Sequence, residues 1–146
     1  MKIKEVMIPD LTSVSADTPI KEVVKIMSQQ RMAGLPVVDN EQNVIGIITE
    51  SDITKASLPG YYKELQNPSF IPDFDQFSQQ AKKIAHLPVR DFMTTMVYSV
   101  EEDTSRTQAA DLLFRKHLRI VPVVRGGKLV GILTPSCLCK NAMEEN

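Results

Sequence analysis

Apolar positions along the chain change period several times, and each change marks an element. Ile20, Val23, Val24 and Met27 recur at helical spacing. Asp17-Thr18-Pro19 just before them supplies a helix start, with a capping side chain and a proline for the first helical position. Leu35-Pro36-Val37-Val38 and Val44-Ile45-Gly46-Ile47-Ile48 then form two runs rich in β-branched residues around a polar turn, which predicts a strand hairpin. Neither run alternates cleanly, as suits strands covered on both faces. A short helix is predicted from near Ser51, and Val14 ends a short extended segment ahead of the first helix. The unit reads β-α-β-β-α.

The same pattern returns later in the chain. At a shift of 86 residues, Met7 falls on Met93, Asp17-Thr18 on Asp103-Thr104 and Pro36-Val37-Val38 on Pro122-Val123-Val124. After a one-residue deletion, Gly46-Ile47-Ile48-Thr49 falls on Gly131-Ile132-Leu133-Thr134 and Ser51 on Ser136. The deletion lies in the turn between Asp39 and Val44, opposite Arg125-Gly126-Gly127-Lys128, where a hairpin tolerates it. Val100 repeats Val14, Asp103-Thr104 repeats the helix start, and Ala109, Leu112 and Leu113 repeat the helical stripe. One unit of about 50 residues is near the lower limit for burying a sufficient core. Two units packed through their sheets overcome that limit. The chain is thus read as repeat 1 (1–57), a helical insertion (58–88) and repeat 2 (89–146), an α/β (α+β) architecture.

Composition narrows the function classes. The 146 residues are 42% apolar and 24% charged, with 17 basic against 18 acidic side chains and a formal net charge of −1. That balance removes the basic surplus needed for non-specific nucleic-acid binding. No apolar run approaches the ~20 residues of a membrane span. No secretion leader is read at Met1, so a cytoplasmic location is expected. Cys137 and Cys139 are too close for an unstrained disulfide, and His86 and His117 show no ligand spacing, so no metal is expected. No convergent acid, base and nucleophile is legible, and the chain is read as non-enzymatic.

Met7 through Ile53 and Met93 through Leu138 resemble two copies of the CBS domain, named after cystathionine β-synthase. Leu-Pro-Val-Val-Asp at 35–39 and Gly-Ile-Ile-Thr-Glu-Ser-Asp at 46–52 carry the likeness, with Val-Pro-Val-Val at 121–124 and Gly-Ile-Leu-Thr at 131–134. The resemblance implies a tandem pair, or Bateman module, with pseudo-twofold symmetry and two clefts between the copies. It implies regulatory binding of an adenosine compound (AMP, ADP, ATP or S-adenosylmethionine), no required cofactor, and assembly into a homodimer.

Candidate site residues follow from the residues and from the resemblance together. Asp52 falls in the first turn of a helix, where its carboxylate is favoured by the dipole and can accept from both hydroxyls of a ribose. The Thr49 hydroxyl can bond ribose or phosphate beside free helix-start amides. Equally, the two can simply cap the helix. In the second copy Thr134 is kept but Cys137 replaces the acid, and a thiol is a weak donor and acceptor. The second ribose pocket is thus degraded, or accepts something other than an unmodified nucleotide. The resemblance further implies a basic residue before the hydrophobic-Pro-Val strand reaching into the opposite copy's cleft. Arg119 fits it, with Lys116 and His117 nearby, whereas the aligned residue in copy one is Ala33. Asp52 with Arg119 is expected to complete one cleft, and the other, with Cys137 and Ala33, to lack both its ribose acid and its phosphate base. The resemblance implies that the base lies against Thr12, Ser13 and Val14, near Leu35 and Pro36.

The insertion matches neither copy and holds Tyr61, Tyr62, Phe70, Phe74 and Phe77. Phe74, Phe77, Ala81, Ile84 and Ala85 form an apolar stripe that predicts a helix from Asp73 to His86. It is read either as a helix docked on the module's flank or as a lid or partner surface. The alternative function is a protein-interaction scaffold with vestigial clefts, using this insertion to contact an unidentified protein target.

Overall fold

The computed structural model describes residues 1–58 and 76–145. Tyr61, Tyr62, Phe70, Asp73, Phe74 and Asp75 of the insertion lie outside them. The first half contains α1 (Ile20–Gln30), the antiparallel strands β1 (Gly34–Val38) and β2 (Val44–Thr49), and α2 (Glu50–Ala56). After α3 (Gln76–Ile84) the second half contains β3 (Val100–Glu101), α4 (Arg106–Arg115), β4 (Val121–Arg125), β5 (Lys128–Leu133) and α5 (Pro135–Glu144). β3 runs parallel to β4, and β4 antiparallel to β5. In the first half the matching parallel strand is reduced to a bridge between Val14 and Val37. Both hairpins shift register at the same point, between Val37 and Val38 and between Val123 and Val124.

The hairpin turns explain the deletion. Asp39 Oδ1 accepts the N–H groups of Glu41 and Asn43, both at 2.9 Å, and closes the longer turn around Gln42 at φ 69°. The shorter turn instead needs two left-handed residues, and glycine supplies both: Gly126 at φ 57° and Gly127 at φ 84°. The two turns also meet, through Val44 N–H on Gly127 O and Leu129 N–H on Gln42 O, each at 3.0 Å.

Each half has its own core, but neither core is built from its own half alone. Ile3, fully buried, sits among Val100, Leu113, Val121, Val123 and Leu133 of the second half. Val89 and Ile84 sit among Val14, Val23, Leu35, Val37 and Ile48 of the first. Ile3 and Val89 are delivered by crossing segments that begin with a short 3-10 turn, Ile3–Glu5 and Val89–Asp91. The hydrogen bonds repeat as faithfully as the sequence does. Ile3 and Lys4 donate to the carbonyls of Thr104 and Glu102, at 2.9 and 3.0 Å; Val89 and Arg90 donate to those of Thr18 and Ala16, again at 2.9 and 3.0 Å. Further along, Ile8 exchanges two 2.9 Å bonds with Ile132 of β5, and Thr94 two with Ile47 of β2. Residues 3–8 therefore pack with the second half and residues 89–94 with the first.

This exchange changes where the helices start. α1 begins at Ile20, with Pro19 at the capping position and no side-chain cap. The Thr18 hydroxyl accepts the Ser15 N–H instead, while its carbonyl takes Val89. α4 begins at Arg106 and is capped by Ser105, whose hydroxyl accepts from Gln108 N–H at 3.2 Å. Asp17-Thr18 and Asp103-Thr104 thus serve the crossing turns and not the helix ends.

α3 lies on the flank of the first half. It gives Ile84 to the core, and just past it the carbonyls of Ala85 and Leu87 accept from Lys21 and Ile20 at 2.9 and 3.0 Å. Phe77 stays exposed.

Two glycines permit the crossings. A Cβ at Gly131 would stand 2.7 Å from Ile8 O and 2.8 Å from Met7 Sδ. At Gly46 the nearest atom is Met93 Sδ at 2.8 Å, with the backbone oxygen of Thr94 at 3.1 Å. A methionine side chain can move aside, whereas a backbone oxygen held in a bridge cannot. Gly131→Ala is therefore expected to destabilise the fold by about 1–3 kcal/mol, the usual range for overpacking, and Gly46→Ala by distinctly less. Urea unfolding of the two variants checks this, and equal losses would contradict it.

A second prediction concerns acid. Glu102 accepts from Arg125 through both carboxylate oxygens, Nη2 to Oε2 at 3.0 Å, and the guanidinium holds its carboxyl below the ordinary 4.5. A lowered folded value stabilises the fold above the ordinary one, and that contribution is lost as pH falls through it. Glu102→Gln should flatten the acid limb of stability against pH, seen in circular-dichroism melts between about pH 5 and 3.

Candidate functional site

The crossing segments leave a cleft of about 650 Å³ between the halves, within the size range of small-molecule sites. The first half lines it with Ala33, Ile47, Thr49, Glu50, Ser51 and Thr54. The second lines it with Thr94, Met96, Tyr98, His117, Leu118, Arg119 and Ile120. Thr49 is placed because β2 ends there and α2 starts: its backbone is extended (φ −117°, ψ 162°) and its hydroxyl accepts the Asp52 N–H at 3.2 Å. Arg119 is placed because it precedes β4, and Ile120 beside it packs near Gly34, whose Cβ would meet Ile120 Cγ2 at 3.3 Å. The segments ahead of β1 and β4 thus converge on the pseudo-twofold axis.

Asp52 is committed locally. Its Oδ2 accepts the Thr49 N–H and the Thr49 hydroxyl, both at 3.0 Å, closing a capping box. Oδ1 faces Thr94, whose hydroxyl stands 3.4 Å away and belongs to the cleft wall. One carboxylate oxygen therefore serves the fold and the other points toward the cleft's edge. The helix-start amides are mostly taken as well, Glu50 N–H by Ala33 O at 2.9 Å and Asp52 N–H by Thr49.

Cys137 occupies the corresponding place in α5. Its Sγ stands 3.2 Å from the Thr134 N–H, and the Thr134 hydroxyl accepts the Cys137 N–H at 3.2 Å. The thiol keeps the cap without the charge. Neither Thr134 nor Cys137 lines the Thr49–Arg119 cleft.

Arg119 is not free. Its Nη1 donates to Glu50 Oε1 at 2.7 Å, across the boundary between the halves. Both side chains are open to solvent, 76% and 54% exposed, so the pair is worth under about 1 kcal/mol. A doubly charged oxyanion can displace such a partner. Lys116 Nζ lies 5.3 Å from the centre of the Tyr98 ring, a cation–π contact that steadies this aromatic wall.

Of the residues expected from sequence, Thr49 and Arg119 share the cleft, and Asp52 sits at its edge. Thr12, Ser13 and Val14 do not line it. Thr12 bonds Asp10, Oγ1 to Oδ1 at 2.6 Å, and Ser13 and Val14 border a separate depression with Asp39 and Asn40. The matching wall is Thr94, Met96 and Tyr98, because the leader segment that crosses to β2 is that of the second copy. Leu35 and Pro36 are buried in β1. Ala33 also departs from expectation. It lines the same cleft as Arg119, since it precedes Gly34, the register partner of Thr49. Ala33, expected beside Cys137, is thus set beside Thr49 instead. Glu50, Thr94, Met96 and Tyr98 went unrecognised in the sequence. The repeat aligns Thr94 with Ile8 and Tyr98 with Thr12, and no local pattern marks them as site residues.

Known proteins give an independent measure. The chain is 31% identical over 134 residues to the inosine-5'-monophosphate dehydrogenase of Methanocaldococcus jannaschii, but spans only 22% of that enzyme's length. It is 29% identical over 143 residues to the chloroplastic CBS domain-containing protein CBSX1 of Arabidopsis thaliana, spanning 60% of it. The fold superposes on the crystal structure of the CBS-pair protein CBSX2 from the same plant with a TM-score of 0.79 at 25% identity, covering 98% of this chain and 94% of that one. A structure of CBSX2 in complex with AMP gives 0.75 at 25% identity, covering 98% and 96%. The CBS domain model matches twice, over residues 3–59 and 89–144. With two matches that span most of its length, each carrying the crossing turn, hairpin and capped helix described above, the chain belongs to the CBS domain family as a tandem pair.

Proposed function

We propose that the chain is a regulatory module that binds an adenine nucleotide in the Thr49–Arg119 cleft. The observation that carries this reading is the composition of that cleft. An apolar and aromatic wall of Ile47, Met96, Tyr98, Leu118 and Ile120 faces a polar rim of Thr49, Thr94, Arg119 and the Asp52 carboxylate. A flat apolar base suits the wall, a sugar diol suits Thr49 and Asp52 Oδ1, and a phosphate suits Arg119 once Glu50 is displaced. That CBSX2 crystallised with AMP supports the choice of ligand.

The response follows from the same ion pair. Glu50 belongs to the first half and Arg119 to the second, so a phosphate that takes Arg119 removes a contact between halves. The ligand thereby favours one arrangement of the two halves over another, which is a population shift. The readout is a change in oligomeric contacts or in a protein target. A homodimer is part of this proposal, and so is a cytoplasmic location, although CBSX1 is chloroplastic. No helix among the described residues is long and apolar enough to cross a membrane.

Calorimetric titration with AMP tests the site. Asp52→Asn keeps an acceptor for the Thr49 cap but loses the charge, so it should weaken binding by about 1.5–3 kcal/mol with little change in melting temperature. Cys137→Ala should leave affinity unchanged. Equal effects of the two would refute the assignment, and flat traces for AMP, ADP, ATP and S-adenosylmethionine would favour the scaffold reading.

A further inference from the structure

Each leader segment, after crossing, meets the end of the helix in its own half, and the two contacts differ in chemistry. In the first half Thr12 Oγ1 lies 3.3 Å from Gln30 Oε1, the last residue of α1. At the 86-residue shift these two positions become Tyr98 and Lys116. There Lys116, at the end of α4, sets its Nζ 5.3 Å from the centre of the Tyr98 ring. The fold thus ties leader to helix end twice, once by hydroxyl and amide and once by an ammonium over an aromatic ring.

Little else fixes that ring. Tyr98 is 46% exposed, and among the described residues its hydroxyl has no hydrogen bond. Lys116 is equally uncommitted. Its neighbour Arg115 is taken by Asp111 at 2.9 Å, one turn back, whereas Lys116 enters no ion pair among the described residues.

Position decides what the contact can do. Tyr98 lines the cleft and Lys116 does not. The ammonium therefore meets the ring from outside the cleft and leaves its inner surface to a ligand. An aromatic face carries negative charge density, which opposes a second aromatic face stacked on it. A cation on the outer face draws that density toward itself and so favours stacking on the inner one.

We infer that Lys116 is a positioning residue for the base: it holds and polarises Tyr98, on which the adenine stacks, and takes no part in holding the phosphate. This rests on the nucleotide reading above and divides the labour of the basic residues ahead of β4, Arg119 serving the phosphate and Lys116 the base. Thr12 offers no ring at the matching place, so the first leader provides no such platform.

Titration calorimetry of the full chain with AMP and with adenosine tests it, using Lys116→Met, which keeps an unbranched apolar stem without the charge, and Lys116→Arg. Adenosine carries the base and no phosphate, so it separates the two roles. Lys116→Met should weaken AMP and adenosine by the same factor, about two- to fivefold, and Lys116→Arg should keep wild-type affinity for both. In a Tyr98→Leu background, Lys116→Met should change AMP affinity by less than about 1.5-fold. A loss for AMP with adenosine unaffected assigns Lys116 to the phosphate, and a full-sized loss without Tyr98 denies the coupling. Either result, or no loss at all, overturns the inference and leaves the nucleotide site standing. Failure of AMP to bind the wild-type chain overturns the proposed function and this inference with it.

Discussion

The reciprocal exchange of leader segments is the constraint on which the rest of the structure depends. Ile3 completes a core whose other residues come mainly from beyond position 100, and Val89 completes one built mainly before position 50. Neither half can bury its hairpin and helix without the other's crossing turn. A unit of about 50 residues is marginal alone because so little of its surface is buried, and here each unit borrows the missing apolar side chain. Among the described residues, the carbonyls of Ala16, Thr18, Glu102 and Thr104 are satisfied by that loan. Cooperative folding of the pair follows from this arrangement.

The candidate site is a by-product of the same crossing. After pairing with β2 at Thr94, the second leader must travel back to its own half at Val100, and Met96 and Tyr98 line the cleft on the way. The Thr49 end of β2 and the Arg119 segment ahead of β4 close the other sides. Ligand contacts therefore come from both halves by necessity. The Glu50–Arg119 pair spans the divide in the structure described, and it is weak enough to be exchanged for an anion.

Much of the fold was legible because it depends on local pattern. The doubled hairpin, the short helix after β2 with its possible cap at Thr49, and the turn that absorbs the deletion all follow from residues close in sequence. The Asp52 and Cys137 equivalence was legible too, although the structure gives Asp52 a cap to hold as well as an edge of the cleft to face. The late start of α1 was not legible. Thr18 looks like a cap until Val89, far along the chain, takes its carbonyl. The wall at Thr94–Tyr98 was hidden for the same reason: periodicity predicts that a leader strand exists, but not whose hairpin it joins. Ala33 was misplaced by carrying the implied reach into the opposite copy's cleft over to both copies, whereas its neighbour Gly34 pairs with Thr49 and keeps it there.

The central claim is that one cleft, walled by both halves, takes the nucleotide. Backbone amide chemical shifts followed during AMP addition test it most directly. The account predicts concerted shifts at Thr49, Glu50, Thr94, Tyr98 and Arg119, with Thr134 and Cys137 silent. Shifts confined to one half, or centred on Thr12 to Val14, would contradict it.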